Sequence, residues 1–259
     1  MKTKMSTIVA TAAAMLLVLA ACGDGVGPTS GGQVSLTFAG NVTPGGAAAP
    51  SRFGGAMAVP FTDGTNTLEI TSVLIVLREI ELERVEVADC DVEPEPAGCE
   101  DFEIGPVLID LPLDGTTDTN ITVSVSAGTY DEIEFDIHKV SSDDPEDAAF
   151  LLANPTMEGK SIVVVGTYNG VAYTYWTDLN EEQEFALVPN LVICENAGPT
   201  NVTIRLDVST WFFDGNGNLF DPATALKGQP NENLAKDNIK SSIDVFEDKD
   251  MDGDDTDES

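Results

Sequence analysis

The sequence predicts a mostly β chain, a β-sandwich of antiparallel strands with one or two short helices. Three observations predict it. Apolar and polar residues alternate with period two through most of the chain, as half-buried strands require. Turn signals separate these runs, the clearest being Asn169-Gly170, which supplies the two positive-φ positions of a tight hairpin turn. Helix start and stop signals occur at only two places.

Taken in order, residues 33–42 alternate as a strand with Val34, Leu36 and Phe38 on one side. Residues 43–60 are rich in Gly, Ala and Pro, have no periodicity, and read as a loop. The densest strand signal runs over 68–87, where Val73, Ile75 and Leu77 share a face and acids then alternate with Ile80 and Leu82. That run is longer than an ordinary strand, so a bulge is expected near Arg78. Further strands are expected over 107–111, 121–125, 130–137, 161–168, 171–176, 184–188, 202–211 and 239–246. The hairpin at Asn169-Gly170 places Tyr173 opposite Gly166, an aromatic ring over a cross-strand glycine. One helix is expected after Asp144, which caps it, with Pro145 in its first turn and Asn154-Pro155 as its stop. A second, shorter one is expected over 232–236.

The N-terminus carries Lys2 and Lys4, then an apolar run from Ile8 to Ala21, the length of a signal-peptide core and short of a membrane span. It ends in Leu19-Ala20-Ala21-Cys22, which resembles the bacterial lipobox. The resemblance implies cleavage before Cys22, lipidation of its thiol and acylation of its new amino group by chains of the palmitate class. Small side chains fit the peptidase, and only a thiol forms the thioether. Residues 1–21 then read as a signal peptide, 22–32 as a lipid-anchored flexible linker, 33–247 as one sandwich domain and 248–259 as an acidic tail. Several acyl chains anchor firmly at about 0.8 kcal/mol per buried CH2. The expected location is the cell envelope. Gly23 follows the cysteine, which favours the outer membrane if the source has one.

Acids dominate, with 45 Asp plus Glu against 12 Lys plus Arg and a formal net charge of −33. Nucleic acid is disfavoured as a partner, since phosphate binding needs a basic footprint, and so is electrostatic attraction to anionic lipid. The acidity fits divalent-cation binding at some carboxylates and a solvated surface at most of them. With Cys22 assigned to lipid, Cys90 and Cys99 flank a short polar loop and are expected to form a disulfide in an oxidising compartment. Free thiols at both, or a bridge to Cys194, are the alternatives. Cys194 ends the apolar run Leu191-Val192-Ile193 and reads as a buried inert thiol.

Three stretches carry a family resemblance: residues 71–87 (TSVLIVLREIELERVEV), residues 126–137 (SAGTYDEIEFDI), and residues 217–223 (GNLFDPA) with 238–248 (NIKSSIDVFED). Together they resemble the domain of unknown function 4382 family of secreted bacterial lipoproteins. The resemblance implies a transthyretin- or immunoglobulin-like β-sandwich and export. It implies no catalytic residues.

The sharpest chemical motif is Asp248-Lys249-Asp250-Met251-Asp252-Gly253-Asp254. Carboxylates fall at alternate positions, with glycine where the backbone must bend, as hard Ca²⁺ with its six to eight oxygen ligands requires. The spacing resembles the calcium loops of EF-hands. It departs from them at the twelfth position, where Ser259 replaces the bidentate Glu and Glu258 stands one place early. Weak binding is therefore expected at Asp248, Asp250, Asp252 and Asp254, against the plainer reading of a solvated acidic tail. A second oxygen-rich stretch, Asp214 to Asn218 with Asp221 beyond, reads as a loop. Tyr168, Tyr173 and Tyr175 share a face and would suit carbohydrate stacking if exposed, or core packing if buried. His138 is the single histidine and reads as structural. No nucleophile elbow, zinc spacing or phosphate loop accompanies it. The expected function is non-enzymatic binding or surface architecture at the envelope, with a protein or glycan partner. A glycan-binding module built on the tyrosines and a carboxylate-dependent hydrolase are the alternatives.

Overall fold

The computed structural model describes residues 31–41, 51–53, 56–85, 104–195 and 198–255. Its strands are β1 (Gly32–Asn41), β2 (Ser51–Phe53), β3 (Ala56–Thr62), β4 (Thr67–Arg84), β5 (Val107–Asp110), β6 (Thr117–Val125), β7 (Gly128–Ile137), β8 (Ile162–Tyr168), β9 (Val171–Thr177), β10 (Glu181–Ile193), β11 (Thr200–Asp207) and β12 (Ile243–Glu247). Its helices are α1 (Ala148–Ala153) and α2 (Glu232–Lys240). No helix among the described residues is long and apolar enough to cross a membrane.

Two sheets form. The smaller has the order β12-β11-β1-β6. The larger has eight strands gathered on β4: β10-β7-β4-β3-β2, with β5 and β8 also pairing β4, and β9 pairing β8. The strand pairs are antiparallel except one. β1 runs parallel to β11, Val34 beside Thr200 through Asn41 beside Asp207, the one exception in an otherwise antiparallel sandwich. The inward faces share one core. Leu36, Phe38 and Ile204 of the small sheet meet Ile75, Phe135 and Ile137 of the large one, and all are almost fully buried. The chain is a two-sheet β-sandwich.

β4 is long enough to serve several neighbours because it bends. Its pairing with β7 shifts between Arg78 and Glu81, and Glu79 takes φ +50°, the bulge expected near Arg78. The hairpin of β8 and β9 forms as read, with Asn169 at φ +50°, Gly170 at φ +76°, and Gly166 opposite Tyr173. Asp144 caps the turn before α1 by accepting from the Glu146 N–H at 3.0 Å.

Several expected boundaries fail. The Ala- and Gly-rich stretch read as a loop contains β2 and β3, held in the sheet by antiparallel pairing of β3 to β4. α2 extends to Lys240 with Ile239 buried on its inner side, so the last strand starts at Ile243. β11 likewise ends at Asp207, whose carboxylate accepts from the Ser209 N–H at 3.0 Å and starts a 3-10 turn.

Candidate cation site

The outer face of the small sheet is lined with hydroxyls and an amide. Thr37 of β1 and Asn201 and Thr203 of β11 are buried there. The Thr37 hydroxyl donates to Asn201 Oδ1 at 2.5 Å, and Asn201 Nδ2 donates to Thr203 Oγ1 at 3.2 Å. The chain leaving β12 turns back over this face instead of trailing into solvent. The Asp248 N–H donates to the Asn201 carbonyl at 3.1 Å, and the Thr117 hydroxyl of β6 donates to the Met251 carbonyl at 2.9 Å. Met251 at φ +60° and Gly253 at φ +85° make the bend.

Asp248 anchors the loop and has no exposed surface. Its Oδ2 accepts from the Thr203 hydroxyl at 2.7 Å and from the Gly253 N–H at 3.0 Å, and its Oδ1 accepts from the Asp252 N–H at 3.3 Å. Carboxylate oxygens of Asp248, Asp250 and Asp252 all lie within 4.8 Å of one another. Opposed oxygens on one Ca²⁺ stand about 5 Å apart, so the spacing fits a shared hard cation. Among the described residues no Lys or Arg forms an ion pair with any of the three, and Lys249 turns to Glu247 at 3.2 Å. Desolvation, then the charges of Asp252 and Asp248, push the Asp250 carboxyl above the ordinary range. Asp254 is not part of the converging set; its N–H caps Asp252 Oδ1 at 3.0 Å. Glu258 and Ser259 lie outside the described residues.

The other sequence candidates resolve differently. Asp214 is used by its own loop: it accepts from the N–H groups of Asn216 and Asn218, both at 2.9 Å, and from Asn218 Nδ2. Those bonds, the Asn218 side chain's first, hold its carboxyl below the ordinary range, as a tight Asx turn does. The tyrosine face is interior. Tyr175 has no exposed surface, the Tyr173 hydroxyl is buried, Tyr168 is half-buried, and Tyr173 and Tyr175 meet Phe212 edge-on at 6.1 and 5.1 Å. The stacking platform is thereby corrected to core, and burial lifts both the Tyr173 and Tyr175 phenols. His138 is buried at the end of β7, its Nε2 2.8 and 2.9 Å from the two oxygens of the fully buried Asp147. Asp147 also accepts from the Ser141 N–H at 2.7 Å, so the pair fastens the excursion between β7 and β8.

Cys194 is disulfide-bonded, which corrects the reading of an inert thiol. Its partner lies outside the described residues, as do Cys22, Cys90 and Cys99.

One cluster escaped the sequence reading because it depends on register. Glu134 of β7 stands directly between Glu81 of β4 and Glu184 of β10, with Glu132 and Asp136 beside it on the side away from the core. Desolvation, a hydrogen bond with Glu132 and the charges of Glu83, Glu182 and Glu184 push the Glu134 carboxyl up to about 7. Alternation along each strand was legible; that the acids of three strands align was not.

No protein-family model, curated protein or solved structure matches this chain.

Proposed function

We propose that the chain is a lipid-anchored, non-enzymatic β-sandwich of the cell envelope whose C-terminal loop takes Ca²⁺ through Asp248, Asp250 and Asp252. The observation that supports it is the fully buried Asp248 carboxylate, which converges with two others and has no cationic partner among the described residues. Buried charges are ordinarily paired or coordinated to metal. A hard dication would neutralise the convergence and fix the loop to the Thr37–Asn201–Thr203 face. The role is then binding or surface architecture, with the membrane reached through acyl chains on Cys22, outer-membrane placement where the source has one, and a protein partner outside. Nucleic acid is not among the partners proposed.

The test is a thermal melt of residues 23–259 in EDTA, in 10 mM Ca²⁺ and in 10 mM Mg²⁺. With a dissociation constant of about 1 mM, as in weak extracellular modules, mass action adds about 1.4 kcal/mol, or about 3–5 °C. The rise should be selective for Ca²⁺ and vanish in Asp250→Asn with Asp252→Asn. An equal shift in Mg²⁺, or a Ca²⁺ shift surviving both substitutions, rejects the site.

A further inference from the structure

We propose that β6 is a self-association edge, through which two copies of the chain join their small sheets into one across a two-fold axis. Sheet edges expose unpaired N–H and C=O groups and recruit other strands unless charge, proline or a covering element prevents it. In this molecule three other edges are so protected. β10 carries Glu181, Glu182 and Glu184, β12 carries Asp244 and Glu247, and the turn Pro222–Ala225 lies against β9. β6 differs. It pairs β1 on one side, and among the described residues no strand pairs its other side. From Thr119 to Tyr130 the chain carries no charged residue, in a protein of formal net charge −33. Two such molecules approach with least repulsion where charge is absent.

The segment is also complementary to itself. A register irregularity in the pairing with β1 leaves residues 121–125 as the regular part. Antiparallel pairing of this part about Val123 sets Val123 against its own copy on the core side. On the outer side it sets Thr122 against Ser124 of the other copy, twice by symmetry. Val123 is only half-buried in one copy, and Thr122 and Ser124 are exposed. The acidic loop crosses β6 at its far end, through Thr117, so the axis at Val123 carries the two loops away from each other. A short strand pair buries little surface, so association is weak in solution and gains from confinement at a membrane.

The test is sedimentation equilibrium of the whole chain from residue 23, up to about 1 mM in 0.15 M salt. A concentration-dependent dimer that tightens as salt screens the net charge is expected. Thr122→Asp with Ser124→Asp places like charges in both cross-strand pairs and should weaken it about tenfold. Thr122→Lys with Ser124→Asp places opposite charges there and should restore it. Both substitutions lie on exposed positions, and unchanged melting temperatures will confirm that the fold is kept. A monomer throughout the concentration range overturns the proposal. So does a dimer indifferent to the Asp pair, or one that the Lys–Asp pair fails to restore.

Discussion

Glu134→Gln should stabilise the protein above neutral pH and leave it unchanged in mild acid. The native carboxyl titrates at about 7 against 4.5 for an ordinary Glu, because burial, Glu132 and the charges of Glu83, Glu182 and Glu184 all disfavour its ionised form. The native state therefore holds more protons than the unfolded chain between these values. Stability falls as pH rises through that window, and the cost is complete above about 7. The full shift corresponds to about 3 kcal/mol, and solvent screening of this half-exposed group reduces it to about 1 kcal/mol. The acids titrate as a set, so the gain belongs to the cluster as much as to one residue. Replacing the carboxyl by an amide keeps the shape and removes the charge. Melting curves at pH 8 and pH 4.5 should show the variant about 2–4 °C higher at pH 8 and level with the parent at pH 4.5. Equal gains at both values, or none at pH 8, would refute the account of a face strained by its own charge.

Two other substitutions probe the frame. His138→Ala empties a buried site and leaves Asp147, fully enclosed, without its imidazole partner; a loss of about 3 kcal/mol in urea unfolding at unchanged m-value is expected, and a loss below about 1 kcal/mol would show the pair to be dispensable. Gly166→Ala would set a methyl 1.9 Å from the Glu69 carbonyl oxygen, so β8 must move off β4, and a fall of about 4–8 °C in Tm is expected. Gly215→Ala, whose methyl meets nothing within 4 Å, is the control and should leave Tm in place.

Much of the fold was legible because its signals are local. Alternation in 68–87 gave β4, its excess length gave the bulge at Glu79, and Asn169-Gly170 gave the hairpin with its register. The spacing of Asp248, Asp250 and Asp252 likewise foretold their convergence, since a single turn decides it. What escaped depends on partners distant in sequence. β3 carries Met57, Val59 and Phe61 at alternate positions, but the Gly, Ala and Pro around them hid so short a run until its pairing with β4 showed it. The parallel pairing of β1 with β11 has no signature in either strand. Asp147 carries the marks of an exposed helix-start acid, yet turns inward because His138 waits there. Fourth in the calcium spacing, Asp254 falls outside the converging set and contributes its N–H to Asp252 instead.

The parallel partnership of the first strand with β11 has a consequence for the timing of folding. Val34 lies beside Thr200, and between them comes the whole of the large sheet. β1 can pair β6 early, but its other edge stays open until residue 207 has emerged, and β12 and the Asp248 loop come later still. Such distant closure makes folding slow. The small sheet thus acts as a check on completeness. A chain still being synthesised, or cut short before β11, holds β1 with one edge bare, and the molecule becomes a closed sandwich only when its last segments arrive.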